Sequence, residues 1–175
     1  MESVAPPVVK PYCFICYSTR EPHVGVLIDC IKLVLGKDFG IKLTPSAMES
    51  GASQRDQITG LIEGCSFGIV ILDGLRPNVV FEYGILHGRQ KPVLLFKEEN
   101  AVVDIRGLIG DIKELGITFP PINPDIQFSD VKDVNYAKWN RFNIQETIKL
   151  VWDEYGKKKT AIADFVEIEE PKLWP

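Results

Sequence analysis

SFGIVILDGLRPNVVFEYGILHGRQKPVLLF, residues 66–96, is the stretch that decides how this chain folds. Phe67–Leu72 reads FGIVIL without a polar interruption, and Pro92–Phe96 reads PVLLF. Unbroken apolar runs of this kind belong to parallel strands that helices cover on both faces. The segment between them has room for one helix of roughly two to three turns. Strand, crossover helix and strand together form the repeating unit of a parallel α/β sheet. Within the crossover stands Glu82, surrounded in sequence by Val79, Val80, Phe81, Tyr83, Ile85 and Leu86. A carboxylate in such company finds partners, changes its proton affinity, or does chemistry.

Working outward, the same alternation continues. Tyr12–Tyr17 reads as a short apolar strand behind a proline-rich lead. Val24, Leu27, Ile28, Ile31 and Leu35 recur at helical spacing, and Gly36 ends that helix. Gly40–Leu43 is a brief second strand. Ser53 with Asp56 forms a capping box for a helix whose apolar side is Ile58, Leu61 and Ile62. These elements predict an open, mostly parallel α/β sheet with right-handed crossovers and helices on both faces. Further on, Asp104–Leu115 reads as a helix containing two glycines, and the proline-rich stretch 118–133 as an irregular connection. Tyr136–Tyr155 resumes helical spacing through Ile144, Ile148, Leu150, Val151 and Trp152, with Gly156 as its stop. The expected organisation is a lead at 1–11, one domain at 12–156, and a tail or linker start at 157–175.

A chain of 175 residues, 45% hydrophobic and 25% charged, can bury a core without staples. Its formal net charge of −4 argues against a general nucleic-acid surface, while leaving room for a small anionic ligand held by local groups. Cys13 and Cys16 form a CxxC inside a strand, where residues three apart point to opposite faces. That geometry suits neither a disulfide nor a shared metal, so buried thiols and no metal site are expected. The first residues lack the layout of a signal peptide, and no apolar run reaches the ~20 residues that span a bilayer. A cytoplasmic protein without a membrane segment is the expectation.

In open parallel sheets, ligands bind beyond the carboxyl ends of the strands. The residues there are Ser18, Thr19 and Arg20, then Thr44, Pro45 and Ser46, then Asp73, Gly74, Arg76 and Asn78, then Lys97 and Glu98. Arg20 and Arg76 are suited to grip phosphate, and a helix starting at Asn78 offers free amides. With Asn78 as the cap, Glu82 lies one turn in, about 6 Å along the axis. Two readings of Glu82 fit: a side chain leaning towards a ligand at the strand ends, or an ion pair with Arg76, Arg89 or Lys91. His23 and His87 are isolated and read as structural or exposed. No phosphate loop of Walker or dinucleotide type and no GxSxG elbow is present.

FICYS, SFGIVILDG and RPNVVFEYGILHGRQKPVLLF together resemble the TIR-like, nucleotide-binding domains of bacteria. These belong to the wider group of TIR domains and nucleoside 2-deoxyribosyltransferases. The likeness covers residues 12–98 and rests on Asn-Val-x-Phe-Glu-x-Gly followed by Lys-Pro-Val. It implies a three-layer, flavodoxin-like sheet and a nucleotide or NAD+ as ligand. It further implies that Glu82 is the glutamate serving cleavage of an N-glycosidic bond, with no cofactor required and NAD+ as substrate. Ser18, Asp73 and Asn78 would be pocket neighbours, with Phe14 or Tyr17 beside them. Deoxyribosyltransferases carry an aspartate about six positions before the glutamate, where this chain has Arg76. That departure favours a phosphate-bearing ligand over base transfer. The resemblance also implies homo-oligomerisation on activation, an attached or separate sensor module, and a role in defence against phage. A nucleotide-sensing or interaction module without catalysis, and a nucleoside or nucleotide glycosidase, are the alternatives.

Overall fold

The computed structural model describes residues 10–44, 54–74, 76–100 and 135–168. Among these residues five strands form a single all-parallel sheet: β1 (Tyr12–Cys16), β2 (Gly40–Leu43), β3 (Phe67–Ile71), β4 (Val93–Glu98) and β5 (Ala137–Trp139). Their spatial order is β2-β1-β3-β4-β5. Among the described residues four helices accompany them: α1 (Val24–Leu35), α2 (Gln54–Glu63), α3 (Pro77–Gly88) and α4 (Ile144–Ile168). The architecture is the three-layer, flavodoxin-like α/β fold, with the strand order that puts its topological switch between β1 and β3.

Strand alternation divides the core into two layers. Cys13, Ile15, Phe67, Ile69, Ile71, Leu94 and Phe96 face α1 and α4, which contribute Leu27, Ile31, Leu35, Val151 and Ile162. Phe14, Cys16, Val70 and Leu72 face α2 and α3, which contribute Ile58, Ile62, Val79 and Leu86. Cys13 and Cys16 therefore lie in opposite layers, and all four cysteines are buried. Gly68 in β3 lets α3 approach closely, because a Cβ there would sit 2.5 Å from Leu86 Cδ1. The central strands are the most buried: every residue of β3 is inaccessible, whereas the edge strand β2 keeps Lys42 in solvent.

Two expectations change at the carboxyl-terminal end. Residues 137–139 are the fifth strand rather than the start of a helix, pairing with β4 from Phe96↔Ala137 to Glu98↔Trp139. The last helix starts at Ile144 and runs through Gly156 to Ile168. Glycine costs about 1 kcal/mol in an exposed helix interior. Ile162 and Val166 lie beyond it and pack on the core, which offsets that cost. The expected helix at Asp104–Leu115 and the irregular stretch 118–133 lie outside the described residues. Among the described residues, no helix is long and apolar enough to cross a membrane.

Candidate functional site

At the switch point the chain leaves β1 towards β2 and returns across it to β3, so the loops following β1 and β3 part from one another. Those loops carry Ser18, Thr19 and Arg20 on one side and Asp73, Gly74 and Arg76 on the other. They nevertheless touch. Arg76 is buried and its Nη2 lies 3.7 Å from Glu21 Oε1. Gly74 adopts φ +76°, and a Cβ there would meet Glu21 Oε1 at 2.5 Å. The Arg76 guanidinium is thus engaged by a carboxylate on the neighbouring loop. An open cavity of about 330 Å³ lies one strand over, lined by Tyr17, Ser18, Thr19, Leu43, Gly25 and Lys32 among others. Thr19 and Arg20 are exposed, while Ser18 is buried and its Oγ accepts the Arg20 N–H at 3.3 Å.

The first turn of α3 corrects the expected cap. Arg76, with extended backbone, is the N-cap; Pro77 follows in the first turn, where its missing N–H costs nothing. Asn78 is inside the helix and exposed. Glu82 consequently stands six residues past the cap, about 9 Å along the axis at 1.5 Å per residue. Phe14, expected near the pocket, is fully buried in the α2/α3 layer, whereas Tyr17 lines the cavity. Ser46 lies outside the described residues.

Val79, Glu82 and Leu86 form the buried stripe of α3, so Glu82 occupies a core position and is only 1% exposed. Its Oε2 accepts a hydrogen bond from Thr44 Oγ1 at 3.0 Å. Its Oε1 is buried without a hydrogen-bond partner among the described residues. The Cys16 thiol faces the same carboxyl group from the last residue of β1. Burial raises the Glu82 pKa, and the Thr44 hydroxyl and the Cys16 thiol oppose that rise. The ion-pair reading finds no support among the described residues. Arg76 pairs with Glu21, Arg89 with Glu63 at 2.5 Å, and Lys91 donates to the Cys65 carbonyl at 2.7 Å.

A second buried polar group lies further along the edge, beyond β3, β4 and β5. Asp73 Oδ1 accepts the Glu98 backbone N–H at 2.7 Å, and Oδ2 lies 3.5 Å from His23 Nε2. Burial raises the Asp73 pKa, while the Glu98 N–H and His23 pull it back. The Trp139 indole N–H also favours the charged form, although it falls short of a full hydrogen bond. The His23 ring stacks on Trp139 with centroids 6.0 Å apart. Glu98 Oε2 accepts the Asn100 N–H at 2.8 Å, and Oε1 is 3.7 Å from Arg141 Nε. Asp73 is therefore committed to tying strand ends together.

The partnerships of three participants escape a reading of the sequence. Thr44 looks like any hydroxyl at a strand end, Cys16 like any buried thiol, and His23 like an isolated ring. Their roles come from which strand ends are neighbours, and that is a property of strand order. Among the described residues no group of three or more His, Cys, Asp or Glu side chains is placed to hold a metal ion. No family model matches the chain, and no curated protein matches it.

Proposed function

We propose that this chain is an N-glycosidase that cleaves the nicotinamide–ribose bond of NAD+, with Glu82 as its catalytic carboxyl group. The observation that carries the reading is Glu82 itself: a buried carboxyl group near the carboxyl edge, held by one hydroxyl and facing no cation among the described residues. Asp73, another buried carboxyl group at this edge, differs in that its Oδ1 takes a backbone N–H, from Glu98, while its Oδ2 lies 3.5 Å from His23 Nε2. Cleavage of an N-glycosidic bond develops positive charge on the sugar as the base departs. A fixed carboxylate in a water-poor site stabilises that charge or attacks C1′, and water completes the hydrolysis. Tyr17, Ser18 and Thr19 along the cavity supply an aromatic surface and hydroxyls suited to a nucleotide. No cofactor is needed for this chemistry.

Since Glu82 is 1% exposed, substrate has to gain access to it, and oligomerisation on activation is a means of opening the site. The same closure supports a second reading, a nucleotide-sensing or interaction module in which Glu82 is never reached. Incubation of concentrated protein with NAD+, following nicotinamide, ADP-ribose and cyclic products, separates the two. Glu82→Gln should lower nicotinamide release by about 10²–10³-fold, the scale expected for removing one transition-state electrostatic partner. Tight nucleotide binding with no product from the wild type would establish the sensing module instead.

A further inference from the structure

Thr44 makes more contacts than a single hydroxyl proton can serve. Its Oγ1 lies 3.0 Å from Glu82 Oε2 and 3.3 Å from the Ile15 carbonyl oxygen. Its own backbone N–H already donates to that carbonyl at 3.2 Å. A hydroxyl has one proton to give and two lone pairs to receive, so the two acceptors compete for it. The competition resolves differently in the two proton states of Glu82. When Glu82 is ionised, Thr44 donates to Oε2, and Ile15 keeps the Thr44 backbone N–H. When Glu82 is a neutral acid, its O–H donates to Thr44 Oγ1, and the Thr44 hydroxyl turns to Ile15. Both states leave the Glu82 Oε2 bond made.

We propose that Thr44 is the positioning residue that keeps the buried Glu82 ionisable, by turning its single proton between the Glu82 carboxylate and the Ile15 carbonyl. The role rests on the reading of Glu82 as the catalytic carboxyl group. Among the described residues, little else is placed to do it. The Cys16 thiol at the end of β1 faces the carboxyl group, and Cys65 faces Cys16 in turn. On α2, Arg55 lies over the Phe81 ring and Glu63 is paired with Arg89 of α3. Arg76 at the start of α3 is paired with Glu21. A charge-assisted hydrogen bond is roughly twice as strong as a neutral one. Losing the hydroxyl therefore harms the carboxylate more than the acid, and burial then holds Glu82 neutral.

The test is a carboxyl-carbon NMR titration of wild type, Thr44→Val and Thr44→Ser, with Glu82→Gln identifying the resonance. The pH profile of nicotinamide release is measured on the same proteins. Thr44→Val should raise the Glu82 midpoint by about one pH unit or more. The acidic limb of the profile should move by the same amount, so that activity lost at neutral pH returns at higher pH. Thr44→Ser, which restores a hydroxyl, should return the midpoint to the wild-type value. An unchanged or lowered midpoint in Thr44→Val overturns the proposal, as does an equal loss of activity at every pH in both variants. Should Thr44→Val fail to fold, Thr44→Ala carries the same expectation. If the midpoint moves while the wild type releases no nicotinamide, the Thr44–Glu82 coupling stands and the NAD+ reading falls.

Discussion

Glu82 and Asp73 are both buried carboxyl groups near the same edge of the sheet, and burial raises the pKa of both. Asp73 receives a backbone N–H at 2.7 Å and has His23 beside it. Glu82 has a hydroxyl and a thiol, and each carboxyl group keeps one oxygen, Asp73 Oδ2 and Glu82 Oε1, without a hydrogen-bond partner among the described residues. Charge placed in a low-dielectric interior is stable only when fixed donors surround it. Asp73 has one such donor, the Glu98 N–H, which joins the ends of β3 and β4, and His23 at the start of α1 lies beside it. Glu82 meets side-chain donors alone, the Thr44 hydroxyl and the Cys16 thiol, and no backbone amide among the described residues. The difference teaches that burial of a carboxylate identifies nothing by itself; which groups its oxygens meet does.

The largest expected effect breaks the member that holds a backbone amide. Asp73→Ala leaves the Glu98 N–H unpaired in the interior and should cost about 3 kcal/mol of stability, read from urea denaturation. Stability equal to wild type would mean that Asp73 does not tie the strand ends. Next comes Gly74→Ala, which forces a side chain into a left-handed backbone position and against the Glu21 carboxylate. A loss of about 1–2 kcal/mol is expected. An unaffected protein would show that the loops after β1 and β3 are free to separate.

Smallest is a pH effect from Glu82. Its folded-state pKa is raised above the ordinary value of 4.5, so the native state holds the proton more tightly than the unfolded chain. Stability associated with this group is therefore full below pH 4.5 and declines as pH rises towards the folded-state pKa. One group contributes at most about 1.4 kcal/mol per pH unit. Glu82→Gln should flatten the decline in stability across that range, measured by denaturant unfolding at successive pH values. Identical slopes in the two proteins would show that Glu82 is ionised in the native state without penalty.

Much of this fold can be read along the chain. The boundaries of α1 and β2 follow directly from spacing and from the glycines beside them, and β1, β3 and β4 differ from expectation by only one or two residues at their ends. Long apolar runs between helices have few alternatives once both faces of a sheet must be covered. The three residues of β5 have no such signature: Ala137, Lys138 and Trp139 form a strand because β4 offers an open edge. Gly156 misleads for a related reason, since its local penalty is overridden by packing further along the helix. The site is legible in outline, because polar residues following apolar strands mark the carboxyl edge. Which of them are already occupied is not legible. Arg76 looks available for phosphate until Glu21 is found beside it, and Asn78 looks like a cap until Pro77 and Arg76 take the helix start.

The two outer strands of the described sheet are four and three residues long, and each carries an exposed lysine, Lys42 in β2 and Lys138 in β5. Short, charged edges are poor templates for another strand. A protein that works by self-association at high local concentration risks converting its assembly into β-stacked aggregate. Here those two edges are blunted, which directs any reversible association towards the helical faces.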